Sequence, residues 1–237
     1  MEDREKLALD IADAILDRPI GFSAGHRHFF LWPVTFGKML LTQRITEQLG
    51  IDSHNLQINP FAESLRLVES KKDECLLLIT YHTLKTKREV NNTQLVAIRK
   101  NLLAQELDNE DIATLLISCL TWDKTGQFMK HLNIDKEIDR MHQVARCKKN
   151  KNTYQFGGVS VYGSIIDNAC ERYGWTFDYV VWEISYANLQ LMLKDSVKSI
   201  YLTDDEAKRC HVPINGDSID GNNAEVMADV ISGSDWT

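Results

Sequence analysis

Proline and glycine are scarce in this chain of 237 residues, which has 4 Pro and 12 Gly. β-Sandwiches need many turn residues, so this scarcity argues against an all-β fold. No apolar run approaches the 18 residues that a membrane-spanning helix requires. The first ten residues, MEDREKLALD, are too charged for a signal peptide. We therefore expect a cytoplasmic protein that does not enter a membrane.

An excess of basic residues is also missing. The chain has 27 Lys and Arg against 34 Asp and Glu, which gives a net charge of −7. This balance argues against a nucleic-acid footprint over the whole molecule. From His211 onward there are five acids and no Lys or Arg, among Gly, Asn and Ser. Such a composition predicts a disordered, flexible acidic tail over residues 211–237.

The cysteines lack any pairing signature. No CxxC motif occurs, and several of the cysteines lie in apolar, helix-like contexts. We therefore predict that all five are reduced core residues. They are Cys75, Cys119, Cys147, Cys170 and Cys210.

Catalytic and metal-binding signatures are also lacking. The serines have no GxSxG context, and no cysteine lies in a protease-like context. His26 and His28 alternate along a predicted hairpin, so both would point to one face, but no Asp, Glu or Cys at matching spacing completes a metal site. The sequence predicts no catalytic residue, no metal and no cofactor.

Helical patterns fill most of the chain, and we predict a mainly α fold. Residues 1–145 are predicted to form a helical domain with a small β-hairpin near 20–33, and residues 159–210 a C-terminal helical module. Residues 146–158 are predicted to be a linker, because a basic polar run precedes Gly157-Gly158. The predicted helices cover 3–17, 35–49, 60–70, 74–86, 92–106, 108–120, 125–145, 160–172, 175–196 and 203–209.

Some helix ends are marked by their capping residues. Thr35 is a predicted N-cap and Gly50 the C-cap of the same helix. Acids after Asp108 favour the start of another helix, because negative charge stabilises a helix N-terminus. Thr203, followed by Glu206, has the pattern of a capping box.

A stripe of aromatic residues marks the segment 173–193. Large apolar residues recur there at intervals of three and four, which predicts one face of a single amphipathic helix. Two interpretations stay open, a buried core helix and a partner-binding surface, since Trp and Tyr are enriched at binding hot spots. The candidate partner-binding residues are Trp175, Tyr179, Trp182, Tyr186 and Leu189.

Two segments resemble tail-assembly proteins of long-tailed bacteriophages and prophages. One is Phe30–Met39, an aromatic strand followed by proline and a helix, and the other is Tyr173–Asp195 with its aromatic core. The resemblance implies a non-enzymatic tail assembly chaperone of the host cytoplasm that binds the tape measure protein and recruits tail-tube subunits. Self-association is open. An alternative is a nucleic-acid-associated accessory protein of a mobile element, acting through the basic run 146–151, although a solvated loop is the better explanation of that run.

Overall fold

Helices dominate the protein, and one antiparallel hairpin is its only sheet within the residues that the structure covers. The computed structural model describes residues 2–148 and 159–211. The many helices and the single hairpin of these residues confirm the predicted mainly α fold class. The acidic tail lies outside the described residues from position 212 onward, as does most of the predicted linker, from 149 to 158. None of the helices in the described segments combines the length and apolar composition needed to cross a bilayer.

From α1 to α9 the elements follow one another with short connections. In chain order they are α1 (Glu2–Ile15), β1 (Ile20–Ala24), β2 (Arg27–Leu31), α2 (Phe36–Leu49), α3 (Ser53–Ile58), α4 (Pro60–Thr83), α5 (Lys87–Val90), α6 (Thr93–Glu106), α7 (Asn109–Leu120), α8 (Thr125–His131), α9 (Ile134–Arg146), α10 (Val161–Tyr173), α11 (Phe177–Trp182), α12 (Tyr186–Lys194) and α13 (Asp204–Arg209).

The predicted hairpin forms with a two-residue turn. Its register pairs Ile20 with Leu31 and Ala24 with Arg27, which leaves Gly25 and His26 in the turn. Gly25 has φ 58°, a left-handed conformation that glycine adopts without a steric penalty. The predicted alternation of His26 with His28 on one strand face is wrong, because His26 lies in the turn.

The core is built around α4, which packs against α7 and α2. Its buried side chains include Leu67, Leu76 and Ile79, and Ile112 and Leu116 face them from α7. This packing buries one face of α7, whereas its polar first turn and Thr114 stay exposed.

A kink divides α4 at the place where the sequence predicts a break between two helices. Lys71 has non-helical backbone angles, φ −145° and ψ 51°. Its ammonium group donates hydrogen bonds to the carbonyl oxygens of Gln48 and Leu49, the latter at 3.1 Å. A cation at these carbonyls satisfies the acceptors that the end of α2 leaves unpaired. The Lys71 side chain therefore caps the C-terminal end of α2.

The described residues fall into two compact units. One lies within Met1–Lys136 and Phe156–Ser196, and the other within Glu137–Gln155 and Val197–Thr237. This grouping differs from the predicted separate module at 159–210, because α10, α11 and α12 pack with the N-terminal helices. The aromatic segment finds its apolar partners there.

In the second unit, a disulfide joins two of the cysteines. Cys147 and Cys210 are bonded to each other, with their Cα atoms 5.9 Å apart. The prediction that all five cysteines are reduced is therefore wrong for this pair, whose 63-residue separation carries no spacing signal. Cys75 and Cys119 are free and buried as predicted, and Cys170 is free and half-buried.

Candidate partner-binding surface

The aromatic segment is not the single helix that its periodicity predicts. Gly174 ends α10 in a left-handed conformation, and Thr176 then caps α11 by accepting a hydrogen bond from the Tyr179 N–H at 3.2 Å. Ser185 caps α12 in the same way, accepting from the Asn188 N–H at 3.3 Å. Hydroxyl caps at Thr176 and Ser185 start new helices while the apolar recurrence continues across them. The predicted continuous helical stripe is therefore wrong.

Trp182, at the end of α11, lies directly against α2. A Cβ atom built on Gly37 would come within 2.8 Å of the indole ring. Only a residue without a side chain allows this approach. Gly37 therefore fixes where Trp182 sits, and Trp182 is half-buried as a result.

Tyr186 joins the start of α12 to the start of α2. Its backbone N–H donates a 2.7 Å hydrogen bond to the Val34 carbonyl. Its ring stacks on Phe36, with 6.0 Å between centroids and 10° between planes, and meets Trp122 edge to face at 5.7 Å. The two N-cap residues, Thr35 and Ser185, form an antiparallel bridge. Burial raises the pKa of the Tyr186 hydroxyl, as expected for a half-buried phenol.

The remaining candidate residues differ in exposure. Trp175 packs between Tyr173 and Tyr179, with centroid distances of 4.6 and 5.1 Å. Tyr179 is 41% exposed, whereas Leu189 is fully buried. Leu189 is therefore part of the core and offers no surface to a partner. Of the five predicted residues, only Tyr179 has an exposed side chain, and the other four are half-buried or buried.

Tyr179 and Trp182 line a surface groove together with Trp32, which follows β2. The groove has a volume of about 270 Å³. We call it the Trp32 groove and define it by Trp32, Tyr179 and Trp182 with the charged residues Asp17, Lys85 and Glu183. Sequence reasoning found Tyr179 and Trp182 but did not include Trp32, which lies about 150 positions earlier in the chain. The Phe30–Met39 resemblance was the signal that contained it.

Charged side chains border this groove. The Lys85 ammonium lies 4.5 Å from the centre of the Trp32 ring, a cation–π contact. Lys87 and Asp178, which follow Lys85 and precede Tyr179 closely in the chain, form a 2.7 Å ion pair, but at least half of each side chain is exposed, so solvent screens the pair and it adds little stability. The lining itself contains two carboxylates and one ammonium.

Below the first turn of α2 lies a buried polar cluster that the sequence did not reveal. Lys38 is 2% exposed, and its ammonium has no hydrogen-bond partner in the described part of the chain. Burial lowers the pKa of Lys38 to about 8, and that of His82 to about 3 with help from the nearby Lys38 charge. Burial also raises the pKa of the Cys119 thiol. A thiol held protonated is a poor nucleophile, so this cluster lacks an activated cysteine.

Other sequence hypotheses have the following outcomes. Across residues 2–148 and 159–211, no group of three or more His, Cys, Asp or Glu side chains is placed to hold a metal ion. Of the basic run 146–151, only Arg146, Cys147 and Lys148 are described. The nucleic-acid hypothesis therefore stays a prediction.

Comparison with known proteins gives no relative. No protein-family model, no curated protein and no solved structure matches this chain. The function has to be argued from the residues of the groove and their surroundings.

Proposed function

We propose that this protein is a non-enzymatic binding protein that holds a segment of another protein in the Trp32 groove. The observation that carries the proposal is the convergence of Trp32, Tyr179 and Trp182 on one groove of about 270 Å³. Aromatic anchors of this kind supply most of the free energy in many protein interfaces. They contribute large contact areas with few rotatable bonds.

The groove is held in place before any partner binds. The ring of Trp182 is fixed by its contact with Gly37, and α12 is tied to the chain before α2 by the hydrogen bond from the Tyr186 N–H to the Val34 carbonyl. Asn188 adds a link to the end of α1, because its amide donates to the carbonyls of Ala14 and Ile15 at 3.2 Å each. A preformed site binds more tightly, since less side-chain entropy is lost on association.

The charges of the groove indicate the chemistry of the partner. Asp17 and Glu183 supply two negative charges, and Lys85 supplies one positive charge that already lies over Trp32. Complementary charge favours a partner whose apolar anchor is flanked by Lys or Arg. An amphipathic helix can present an apolar anchor and a basic residue on one face.

The resemblance gives this partner a specific identity. The segments that carry it, 30–39 and 173–195, are the ones that pack together through Gly37 and Trp182 and through Phe36 and Tyr186. We propose a tail assembly chaperone of the host cytoplasm, with the helical tape measure protein in the groove. Recruitment of tail-tube subunits is part of the same proposal.

The test is binding by surface variants of the groove. Tyr179→Ser and Glu183→Lys change side chains at the groove surface, and we expect each to weaken binding at least tenfold. Phe177→Ala is the matched control, because Phe177 is 60% exposed on the same helix and does not line the groove. Isothermal titration calorimetry would use purified coiled-coil fragments of the longest heptad-repeat protein encoded beside this chain.

The results separate the general proposal from the specific one. Binding that is lost in the groove variants and kept by Phe177→Ala supports both. If the fragments do not bind, the tape measure assignment is wrong. If they bind equally well to all variants, the Trp32 groove is not the docking site. Light scattering on the same variants would show whether the groove instead mediates self-association.

A further inference from the structure

A second cavity, larger than the Trp32 groove, opens between α1, the hairpin and the end of α7. Its volume is about 420 Å³, which is in the range of cavities that bind small molecules. Its walls contain the aromatic rings of Trp32, Trp122 and Phe128. We call it the His82 cavity after a buried residue that also lines it. The proposed function makes no use of this space.

The charges around the His82 cavity cancel. Asp10 pairs with Lys124 at 2.8 Å, and Asp13 pairs with Arg18 at 3.0 Å. All four side chains line the cavity, and they add up to no net charge. A ligand with a net charge would have to compete with these pairs for its counter-ion, whereas a neutral ligand leaves them intact. The lining therefore favours an uncharged ligand.

His82 supplies one of the hydrogen-bonding groups of the cavity, beside the hydroxyl groups of Ser118, Thr121 and Ser185. The residue is only 4% exposed, and its ring makes no hydrogen bond to any described residue. Burial and the neighbouring Lys38 charge lower the pKa of His82 to about 3, so the imidazole is neutral near pH 7. A neutral imidazole has one N–H donor and one bare nitrogen acceptor. A ligand in this cavity would provide the imidazole with a hydrogen-bond partner.

We propose that the His82 cavity binds a small uncharged aromatic molecule that carries a ring N–H, of the indole class, and that His82 accepts its hydrogen bond. The aromatic walls provide the apolar contact surface. The imidazole provides the selection for a donor on the ring. The proposal does not rest on partner docking in the Trp32 groove, although Trp32 lines both the groove and the cavity.

The test uses four related probes on the full chain. Indole, 1-methylindole, tryptamine and indole-3-acetate share one ring system and differ in the ring N–H or in charge. We expect saturable binding of indole in a titration followed by ligand-observed NMR. A single hydrogen bond is worth about 0.5–1.5 kcal/mol, so 1-methylindole should bind roughly two- to tenfold more weakly. Tryptamine and indole-3-acetate should both bind more weakly than indole.

A variant at the hydrogen-bonding position separates His82 from the apolar walls. His82→Phe keeps an aromatic ring but removes the acceptor, and we expect it to bind indole and 1-methylindole equally. Tyr179→Ser, which changes the Trp32 groove alone, should bind indole as the unmodified protein does. Circular dichroism checks that His82→Phe is folded. If His82→Phe is not folded, the relative affinity of the unmodified protein for indole and 1-methylindole still tests the proposed hydrogen bond.

Three results would overturn the proposal. One is the absence of saturable indole binding. Another is equal binding of indole and 1-methylindole by the unmodified protein. The third is tighter binding of either charged probe than of indole.

Discussion

The indole ring of Trp182 rests on the Cα of Gly37, so closely that a methyl group there would come within 2.8 Å of the ring. This contact joins the second residue of α2 to the last residue of α11, positions 145 residues apart in the chain. The same ring lines the Trp32 groove. The shape of the proposed docking surface therefore depends on the absence of a side chain at position 37.

Gly37→Ala should displace Trp182. Overpacking of a buried contact costs about 1–3 kcal/mol, and we expect a loss of this size in the free energy of unfolding. Urea denaturation measures it. Gly126→Ala is the matched control, because Gly126 also lies in a helix and nothing lies within 4 Å of its Cβ position. That substitution should leave the protein as stable or slightly more stable, since alanine has the higher helix propensity. Equal losses in both variants would contradict the packing argument.

Lys38→Met should stabilise the protein at neutral pH. Burial lowers the pKa of Lys38 from 10.5 to about 8, so holding this amine in the folded chain at pH 7 costs on the order of 3 kcal/mol. The unfolded chain binds the extra proton between pH 8 and 10.5, so the Lys38 contribution to stability rises with pH in that window. The variant should lack this rise.

The measurement for Lys38 is the free energy of unfolding in urea at pH 7, 8, 9 and 10, compared between the protein and its variants. Lys194→Met, at an exposed lysine of α12, serves as the control and should keep the pH dependence. A Lys38→Met protein less stable than the parent at pH 7 would show that the amine has a partner that offsets its burial.

His82→Gln should make the protein less sensitive to acid. The pKa of His82 is lowered from 6.5 to about 3, so the unfolded chain takes up a proton that the folded chain refuses. The contribution of His82 is complete above pH 6.5 and is lost as the pH falls towards 3. At pH 5 the loss amounts to about 2 kcal/mol.

Urea midpoints at pH 7 and pH 5 test this expectation for His82. The quantity to compare is the change in the urea midpoint between the two pH values, because acid also destabilises the protein through its carboxylates. Glu63 is one of them, since its hydrogen bond with Arg66 lowers its pKa in the folded chain. We expect a smaller change for His82→Gln than for the parent. His54→Gln, at an exposed histidine of α3, should behave like the parent. If the urea midpoint of His82→Gln changes as much between pH 7 and pH 5 as that of the parent, the buried, neutral state of this imidazole is refuted.

The pairing of Cys147 with Cys210 predicts a thiol count. Protein denatured without reductant should react with maleimide at three cysteines, namely Cys75, Cys119 and Cys170. After reduction, all five should react, and mass spectrometry counts the labels. Cys147→Ser should leave Cys210 reactive without reductant. Five labels in the protein purified from a reducing cytoplasm would mean that the pair is not oxidised there, which is the usual state of cytosolic cysteines.

Local signals in the sequence predicted much of the helical framework. Thr35 accepts a hydrogen bond from the Lys38 N–H, and Gly50 ends α2 with φ 65°, both as their residue types indicate. Asp108 caps α7 through the Asp111 N–H. The break in α4 at Lys71 lies between the two predicted helices. The caps at Thr35, Gly50 and Asp108 depend on hydrogen bonds within a few residues, so the neighbouring sequence contains the information.

The prediction from sequence failed in the aromatic segment, which forms two short helices where one long helix was predicted. In the aromatic segment the interval of three and four residues continues across Glu183 and Ser185, so periodicity alone predicts one helix. The backbone of Ser185 leaves the helix there and forms a bridge with Thr35, a residue 150 positions away in the chain. A local pattern contains no record of such a distant hydrogen bond.

The sequence by itself determined a mainly helical chain, its hairpin, several helix ends and an unusual density of aromatic surface near its C-terminal quarter. Only the tertiary structure decided which residues of the aromatic segment are core and which remain open. Leu189 is buried, Tyr186 packs on Phe36, and Tyr179 keeps an exposed edge beside Trp32. Burial is a property of residues that meet from distant parts of the chain, because apolar surface is removed from water only by the atoms that cover it.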